Sequence, residues 1–186
     1  MPEVASACVG VWVGTGSRDE TEAEAGLSHF LEHLLFKGTE VRSAREIAEA
    51  IDAVGGDMNA YTTKEYTTFY VRLLAEHLDL GLDILCDILR EPAFRPLEVD
   101  AERQVILEEV AMHLDEPADV VQERFAGAMF PGHPLGREVL GVPEVIKGAG
   151  VESIRSFFEH HYRPANMVVA AAGDLDHDAV AAGIEA

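Results

Sequence analysis

Apolar residues recur along the chain with two spacings, one typical of strands and the other typical of helices. Short runs of branched and aromatic residues predict strands at residues 9–14, 57–63, 66–73 and 167–173. Longer runs with apolar residues three or four positions apart predict helices at residues 27–36, 44–54, 76–89, 97–114, 118–130 and 151–162, and from residue 174 onwards. The second and third strands flank Lys64 and Glu65, which predicts an antiparallel hairpin.

Capping residues and glycines define the ends of the first two predicted helices. Capping boxes at 21–24 and 43–46 open them, and Gly38 and Gly55 stop them. The proline- and glycine-rich segment 131–150 is predicted to be an ordered surface loop with one helical turn. Helices interspersed with an antiparallel hairpin favour an α+β fold of two layers, and the strands at 9–14 and 167–173 are predicted to be buried in it.

The ends of the sequence suggest a piece of a longer protein. Residues 1–4 lead almost at once into a strand, and the sequence stops inside what reads as a helix. We therefore expect one domain over residues 1–186, cut at both ends.

Composition and charge narrow the classes of function. The 186 residues are 48% hydrophobic and 26% charged, which suits a globular domain with a real core. A formal net charge of −20 disfavours nucleic acids and anionic membranes as partners, because their phosphates attract basic proteins. The chain has neither a run of about 20 apolar residues nor a signal-peptide pattern at its start, so we expect a cytoplasmic protein.

The two cysteines add little. Cys8 and Cys86 are predicted to be buried apolar side chains, and neither has metal-ligand spacing. A single disulfide between them stays open at this point, because two cysteines do not make a disulfide framework.

The candidate chemistry lies in His29-Phe30-Leu31-Glu32-His33. On a helix, residues four apart stack on one face, so both imidazoles can reach one Zn²⁺ at about 2.0–2.1 Å. Glu32 lies one step off that face and is predicted to act as general base toward a metal-activated water. The alternative is a surface face that holds these side chains by chance. Against it, the opposite face of the helix is a continuous apolar arc suited to core packing.

Three segments resemble the pitrilysin (M16) family of inverted-motif zinc metallopeptidases, in its processing-peptidase and bacterial branch. They are HFLEHLLFKG at 29–38, GGDMNAYTTKEYTTFY at 55–70 and ERQVILEEV at 102–110. Residues 163–167 and 173–174 also fit the family, so the resemblance covers essentially the whole chain in order. It implies the zinc-binding half of such a peptidase, on a LuxS/metallopeptidase-like α+β domain with one Zn²⁺ per chain.

The resemblance also implies roles for residues outside the helix motif. Glu109, 76 positions after His33, matches the third metal ligand, and Glu102 matches a carboxylate that holds a ligand histidine by its other ring nitrogen. Asn59 and Ala60 match a strand edge that binds extended peptides. The alternatives are a carboxylate at the edge of a helix face for Glu109, a plain surface charge for Glu102, and an ordinary structural strand for the edge.

The remaining histidines are interpreted as structural or exposed, because no two of them have ligand spacing. These histidines are His77, His113, His133, His160, His161 and His177. Of them, His113 could touch the site, because it lies four residues after Glu109.

The implied function is zinc-dependent endopeptidase activity on extended peptides. Members of the family that work as peptidases have a second half that grips the substrate with an Arg and a Tyr. We therefore expect weak or no activity, and weakened zinc binding, from these 186 residues without a second half on the same chain or on another chain, as in a dimer. Two alternatives are a non-catalytic homologous subunit or binding module of a processing complex, and a different zinc hydrolase on the LuxS-like fold.

Overall fold

The computed structural model describes residue 1 and residues 3–185, which form an antiparallel sheet with helices packed on it. Its strands are β1 (Ser6–Val13), β2 (Asp57–Thr62), β3 (Thr67–Leu74) and β4 (Met167–Gly173). Its helices are α1 (Leu27–Leu35), α2 (Ala44–Ala53), α3 (Leu78–Arg90), α4 (Pro96–Asp115), α5 (Pro117–Met129), α6 (Pro143–Gly148), α7 (Val151–His161) and α8 (His177–Glu185). The α+β fold class and the order of the predicted elements are confirmed.

The sheet has the strand order β2-β3-β1-β4, and every neighbouring pair is antiparallel. The hairpin is the predicted one: Thr62 pairs with Thr67, and residues 63–66 make the turn. β1 lies inside the sheet, where Val9 faces Val71 of β3 on one side and Ala171 of β4 on the other. As a result β2 is an edge strand, and its free edge lies on the side away from β3.

The core lies between one face of the sheet and the helices. The apolar arc predicted on α1 is buried: Leu27, Phe30, Leu31, Leu34 and Leu35 are each at most 2% exposed. They join the alternate, inward-facing residues of β1 and β3 in one cluster with residues of α3, α4 and α7. Full burial of each such side chain stabilises the fold by about 1.5–3 kcal/mol, so α1 is held firmly by its back face.

The capping box at residues 21–24 was predicted to open α1, and this prediction is wrong. It opens a separate short 3₁₀ turn, Glu22–Glu24, and α1 begins at Leu27. Gly26 separates the two because its φ of 101° is left-handed. A Cβ at Gly26 would lie 2.9 Å from the Cα of Gly141, so close packing of two loops requires glycine here.

The prediction of a buried strand at 167–173 was also wrong. β4 is an edge strand, and Val168 is 66% exposed although its neighbours are all small or apolar. An apolar run predicts a strand but does not say whether its position in the sheet is central or at an edge.

Three smaller expectations are also settled. Cys8 and Cys86 are free and half-buried, which rules out the disulfide that the sequence left open. Segment 131–150 contains two helical segments instead of one, a 3₁₀ turn at Pro134–Gly136 and α6. None of the helices in the described part of the chain is both long enough and apolar enough to cross a membrane.

Candidate metal centre

Helix α1 holds His29 and His33 one turn apart, with their rings directed toward α4. The two Nε2 atoms lie 3.2 Å from each other, and the rings meet edge to face. Helix α4 packs against α1 and brings Glu109 to the pair, with its Oε2 3.6 Å from each Nε2. The structure therefore brings together the three side chains that the sequence analysis proposed as ligands.

These separations fit a zinc ion. Ligand atoms at about 2.0–2.2 Å from a tetrahedral centre lie about 3.3–3.6 Å from one another. The observed distances between the three donor atoms are 3.2, 3.6 and 3.6 Å. Three protein donors in this arrangement leave one tetrahedral position for water or substrate, which is the pattern of catalytic zinc sites.

The neutral state of the His29 ring favours a bound metal ion over a shared proton. Burial, aided by the neighbouring His33, lowers the pKa of His29 to about 4. The ring is therefore neutral at pH 7, which is the form that binds a metal. Two ring nitrogens and a carboxylate oxygen facing one another at this range then need another positive charge between them, and a divalent cation supplies it.

Glu32 lies on the same turn of α1 as His33 but points into a cleft beside it. The cleft has a volume of about 190 Å³ and is lined by Glu32, His33, Asn59 and Glu102 among others. Burial raises the pKa of the Glu32 carboxyl, an effect that contacts with Thr62 and His33 partly oppose. A carboxylate of raised pKa is a stronger base, which suits the predicted role.

Glu102 lies two turns before Glu109 on α4 and is only 5% exposed. Its Oε2 is 2.7 Å from Nζ of Lys37 and 3.8 Å from Nδ1 of His33. The second distance is longer than a hydrogen bond, so the carboxylate is near the ring without yet binding it. Glu102 is thus a buried charge paired with Lys37, not the plain surface charge considered as the alternative.

Replacing Lys37 tests this pair. We expect Lys37→Met to weaken zinc binding roughly 10–100-fold, the usual loss when an outer partner of a ligand histidine is disturbed. The physical reason is that Glu102 keeps its charge in a buried position but loses the cation that orients it. The measurement is a competition titration of zinc against a chelator, with Lys147→Met, an exposed lysine on α6, as the matched control. Equal zinc affinity in the two variants would contradict the pairing role.

Asn59 and Ala60 lie on edge strand β2, on opposite faces of it. Asn59 is exposed and lines the cleft, whereas the side chain of Ala60 is 9% exposed and belongs to the core. The Asn59 Oδ1 accepts a hydrogen bond of 2.9 Å from the backbone N–H of Ala60. Ala60 can therefore meet a peptide only through its backbone, and Asn59 must release that N–H first.

One important buried group was missed by the sequence analysis. Glu20 is 4% exposed, and its two carboxylate oxygens accept hydrogen bonds of 2.8 Å from the backbone N–H groups of Gly26 and Ser28. These donors have no partner within α1, so the carboxylate anchors the start of the helix that carries the histidines. An acidic residue a few positions before a predicted helix was the only signal in the sequence.

Loss of this anchor is expected to destabilise the domain. Glu20→Ala removes the acceptors of two buried N–H groups, at about 1–3 kcal/mol each. Burial raises the pKa of Glu20 to about 7 despite both hydrogen bonds, so its contribution to stability is complete below about pH 4.5 and declines as the pH rises through 7. Urea unfolding in the presence of a chelator should thus show a larger loss at pH 5 than at pH 8, with exposed Glu22→Ala as the control. A loss that grows with pH would contradict the sign of this linkage.

His113 does not face the three donors. Its Nε2 lies 3.7 Å from Glu123 of α5, and its Nδ1 lies 3.8 Å from Asp119. His113 therefore contacts α5 instead of the predicted site.

The α+β domain presents two histidines from one helix and a glutamate from another, beside a free strand edge. This arrangement is typical of a metallopeptidase domain. Comparison with known proteins identifies the family: the description "Insulinase (Peptidase family M16)" matches residues 1–142, and "Peptidase M16 inactive domain" matches residues 149–185. The chain belongs to peptidase family M16.

Several relatives are named zinc proteases. The chain is 50% identical over 186 residues to an uncharacterized zinc protease of Streptomyces coelicolor, covering 100% of this chain and 40% of the relative. It is 42% identical over 174 residues to the uncharacterized zinc protease YmxG of Bacillus subtilis, covering 94% of this chain and 42% of the relative. The chain thus spans about two fifths of the length of these relatives.

Solved structures of proteases share the fold. A protease from Helicobacter pylori matches with a TM-score of 0.93 and 27% identity, over 97% of this chain and 44% of that one. The periplasmic protease PqqL from Escherichia coli matches with a TM-score of 0.89 and 28% identity, over 97% of this chain and 21% of that one. In both cases this chain corresponds to one part of a larger protein.

Proposed function

We propose that this chain is the metal-binding part of a zinc-dependent endopeptidase that hydrolyses extended peptides. The observation that carries the proposal is the convergence of His29, His33 and Glu109 at 3.2–3.6 Å from one another. Membership of family M16 and relatives named zinc proteases support it. These three donors converge on one point, so they would hold a single Zn²⁺ at this site.

The residues of the site have different roles in hydrolysis. The Nε2 atoms of His29 and His33 and a carboxylate oxygen of Glu109 hold the metal. When bound, zinc acidifies water and polarises the peptide carbonyl. The Glu32 carboxylate accepts a proton from the attacking water as its oxygen bonds to the carbonyl carbon, and it then donates that proton to the leaving amine nitrogen as the C–N bond breaks.

The substrate is proposed to bind along β2. The free edge of β2 offers backbone N–H and C=O groups with which an extended peptide can pair as a further strand. Main-chain pairing recognises any extended peptide, so specificity has to come from side chains that line the cleft, such as Asn59. The cytoplasmic location and the absence of nucleic-acid partners stay predictions.

A second half-domain, on the same chain or another, is the proposed partner. The cleft beside Glu32 is small, and its lining includes no arginine or tyrosine that could stabilise negative charge on the carbonyl oxygen. We therefore propose weak or no hydrolysis by these 186 residues alone. The retention of all three donors together with Glu32 favours an enzyme over the non-catalytic subunit.

Metal content and cleavage together test the proposal. We expect His33→Ala to lower the zinc content of the purified chain by one ion, because removing one of three donors leaves the ion at this site with only two. His160→Ala, which changes an exposed histidine, should keep it. Cleavage of an unstructured peptide should appear when the second half is present and disappear in His33→Ala. Normal zinc content in His33→Ala would overturn the ligand assignment.

A further inference from the structure

A second group of metal-ligating side chains lies away from the three donors described above. His113 near the end of α4, Glu123 on α5 and Glu138 after the 3₁₀ turn each offer one ligand atom, and these atoms lie within 4.8 Å of one another. We propose that this cluster is a second site for a divalent transition metal, with a structural role. The proposal does not depend on the function of the first site.

The imidazole of His113 provides an observation separate from the acidic residues. Its side chain is only 16% exposed, and its Nε2 is buried without a hydrogen-bond partner among the described residues. That atom faces Glu123, whose Oε2 lies 3.7 Å away, beyond hydrogen-bond range. A buried polar atom of this kind destabilises the fold unless something binds it, and a metal ion would do so.

The surroundings favour a cation. The three donors line a cavity of about 330 Å³ together with Asp119 and Lys64. Three carboxylates therefore face one lysine, and the Nζ of Lys64 donates a hydrogen bond of 2.8 Å to the carbonyl oxygen of Leu135. The net local charge is negative, and the cavity is large enough for a metal ion with water ligands.

The donor types select the class of metal. One imidazole with two carboxylates is a mixed nitrogen and oxygen set, which suits zinc, cobalt or manganese better than magnesium. The glutamate side chains are half-buried, so small rotations can shorten the separations from 4.8 Å toward the 3.3–3.6 Å or so of a tetrahedral site.

The cluster joins three segments: the end of α4, α5 and the segment after the 3₁₀ turn. The segment that carries Glu138 continues to Val142, whose N–H donates to the carbonyl of Ala25, and to Gly141, which packs on Gly26 at the start of α1. Arg137, next to Glu138, donates to the carbonyl oxygen of Glu20. A metal held by α4, α5 and Glu138 would therefore fix this segment against the entry to α1.

Zinc titration in a His33→Ala background isolates the second site from the first. We expect that variant to bind one Zn²⁺ per chain, and the double variant with His113→Phe to bind none. Glu123→Gln in the same background should weaken binding at least tenfold, because it removes a charge but little volume. His160→Phe, which changes an exposed histidine of α7, is the matched control and should still bind one.

Stability gives a second readout. Zinc at about 100 times its Kd should raise the Tm of His33→Ala by about 5–10 °C and should leave the Tm of His33→Ala/His113→Phe unchanged. If His33→Ala does not fold, the count is made on the wild-type chain, where His113→Phe should lower it from two zinc ions to one. A wild-type chain that binds one zinc, or a count that His113→Phe leaves unchanged, overturns the proposal.

Discussion

Glu32→Gln is expected to lower the kcat/KM for peptide hydrolysis about 10²–10⁴-fold while the protein keeps its zinc. The amide has almost the same shape as the carboxylate but does not accept a proton at neutral pH, so proton transfer from water is lost. The three donor atoms of His29, His33 and Glu109 are untouched, so metal binding should remain. Activity has to be measured with the second half-domain present, and zinc content on the same samples.

A matched control separates this effect from a change of charge. Glu40→Gln alters an exposed glutamate shortly after α1 and should keep both activity and zinc. A Glu32→Gln enzyme as active as the wild type would refute the general-base role. Loss of zinc in Glu32→Gln would instead assign this carboxylate to the metal.

Glu109→Gln should weaken zinc binding by more than the roughly 10–100-fold typical of an outer partner, whereas Glu108→Gln should leave it unchanged. The two residues are adjacent and carry the same charge, but α4 turns them to different sides. Glu109 is half-buried with its Oε2 3.6 Å from both imidazoles, and Glu108 is exposed. An amide oxygen has no full negative charge, so it is a poor replacement for the carboxylate ligand.

The comparison needs only the purified chain, because zinc affinity is measured by competition with a chelator. Circular dichroism of both variants checks that α4 is intact. Equal losses in the two variants would mean that general negative charge, not coordination, holds the ion. A larger loss in Glu108→Gln would mean that Glu108, and not Glu109, is the third donor.

The sequence was informative wherever one element determines the outcome. The spacing of His29 and His33 sets both rings on one face of any helix, and the apolar positions between them set the opposite face into a core. For the same reason the hairpin of β2 and β3 followed from two short apolar runs around Lys64 and Glu65. In each case the relevant atoms are a few residues apart.

The role of Glu109 could be predicted only in part from the sequence. Its choice over Glu108 came from a family resemblance and from the apolar character of its side of α4, not from any contact visible in the sequence. The structure adds the distances to both imidazoles. The sequence does not reveal the role of Glu20, because loop residues show no periodicity. It also does not reveal that β4 is exposed, because an apolar strand has the same pattern at the centre and at the edge of a sheet.

The sequence by itself determined the elements, the two-histidine face and the acidic residue beside it, because backbone geometry within one helix repeats every 3.6 residues or so. Only the tertiary structure decided which elements meet: α4 against α1, Glu20 beneath the start of α1, and His113 beside Glu123. The physical reason is that such meetings depend on how large apolar faces pack together, and this packing sums many weak contacts between residues far apart in the chain.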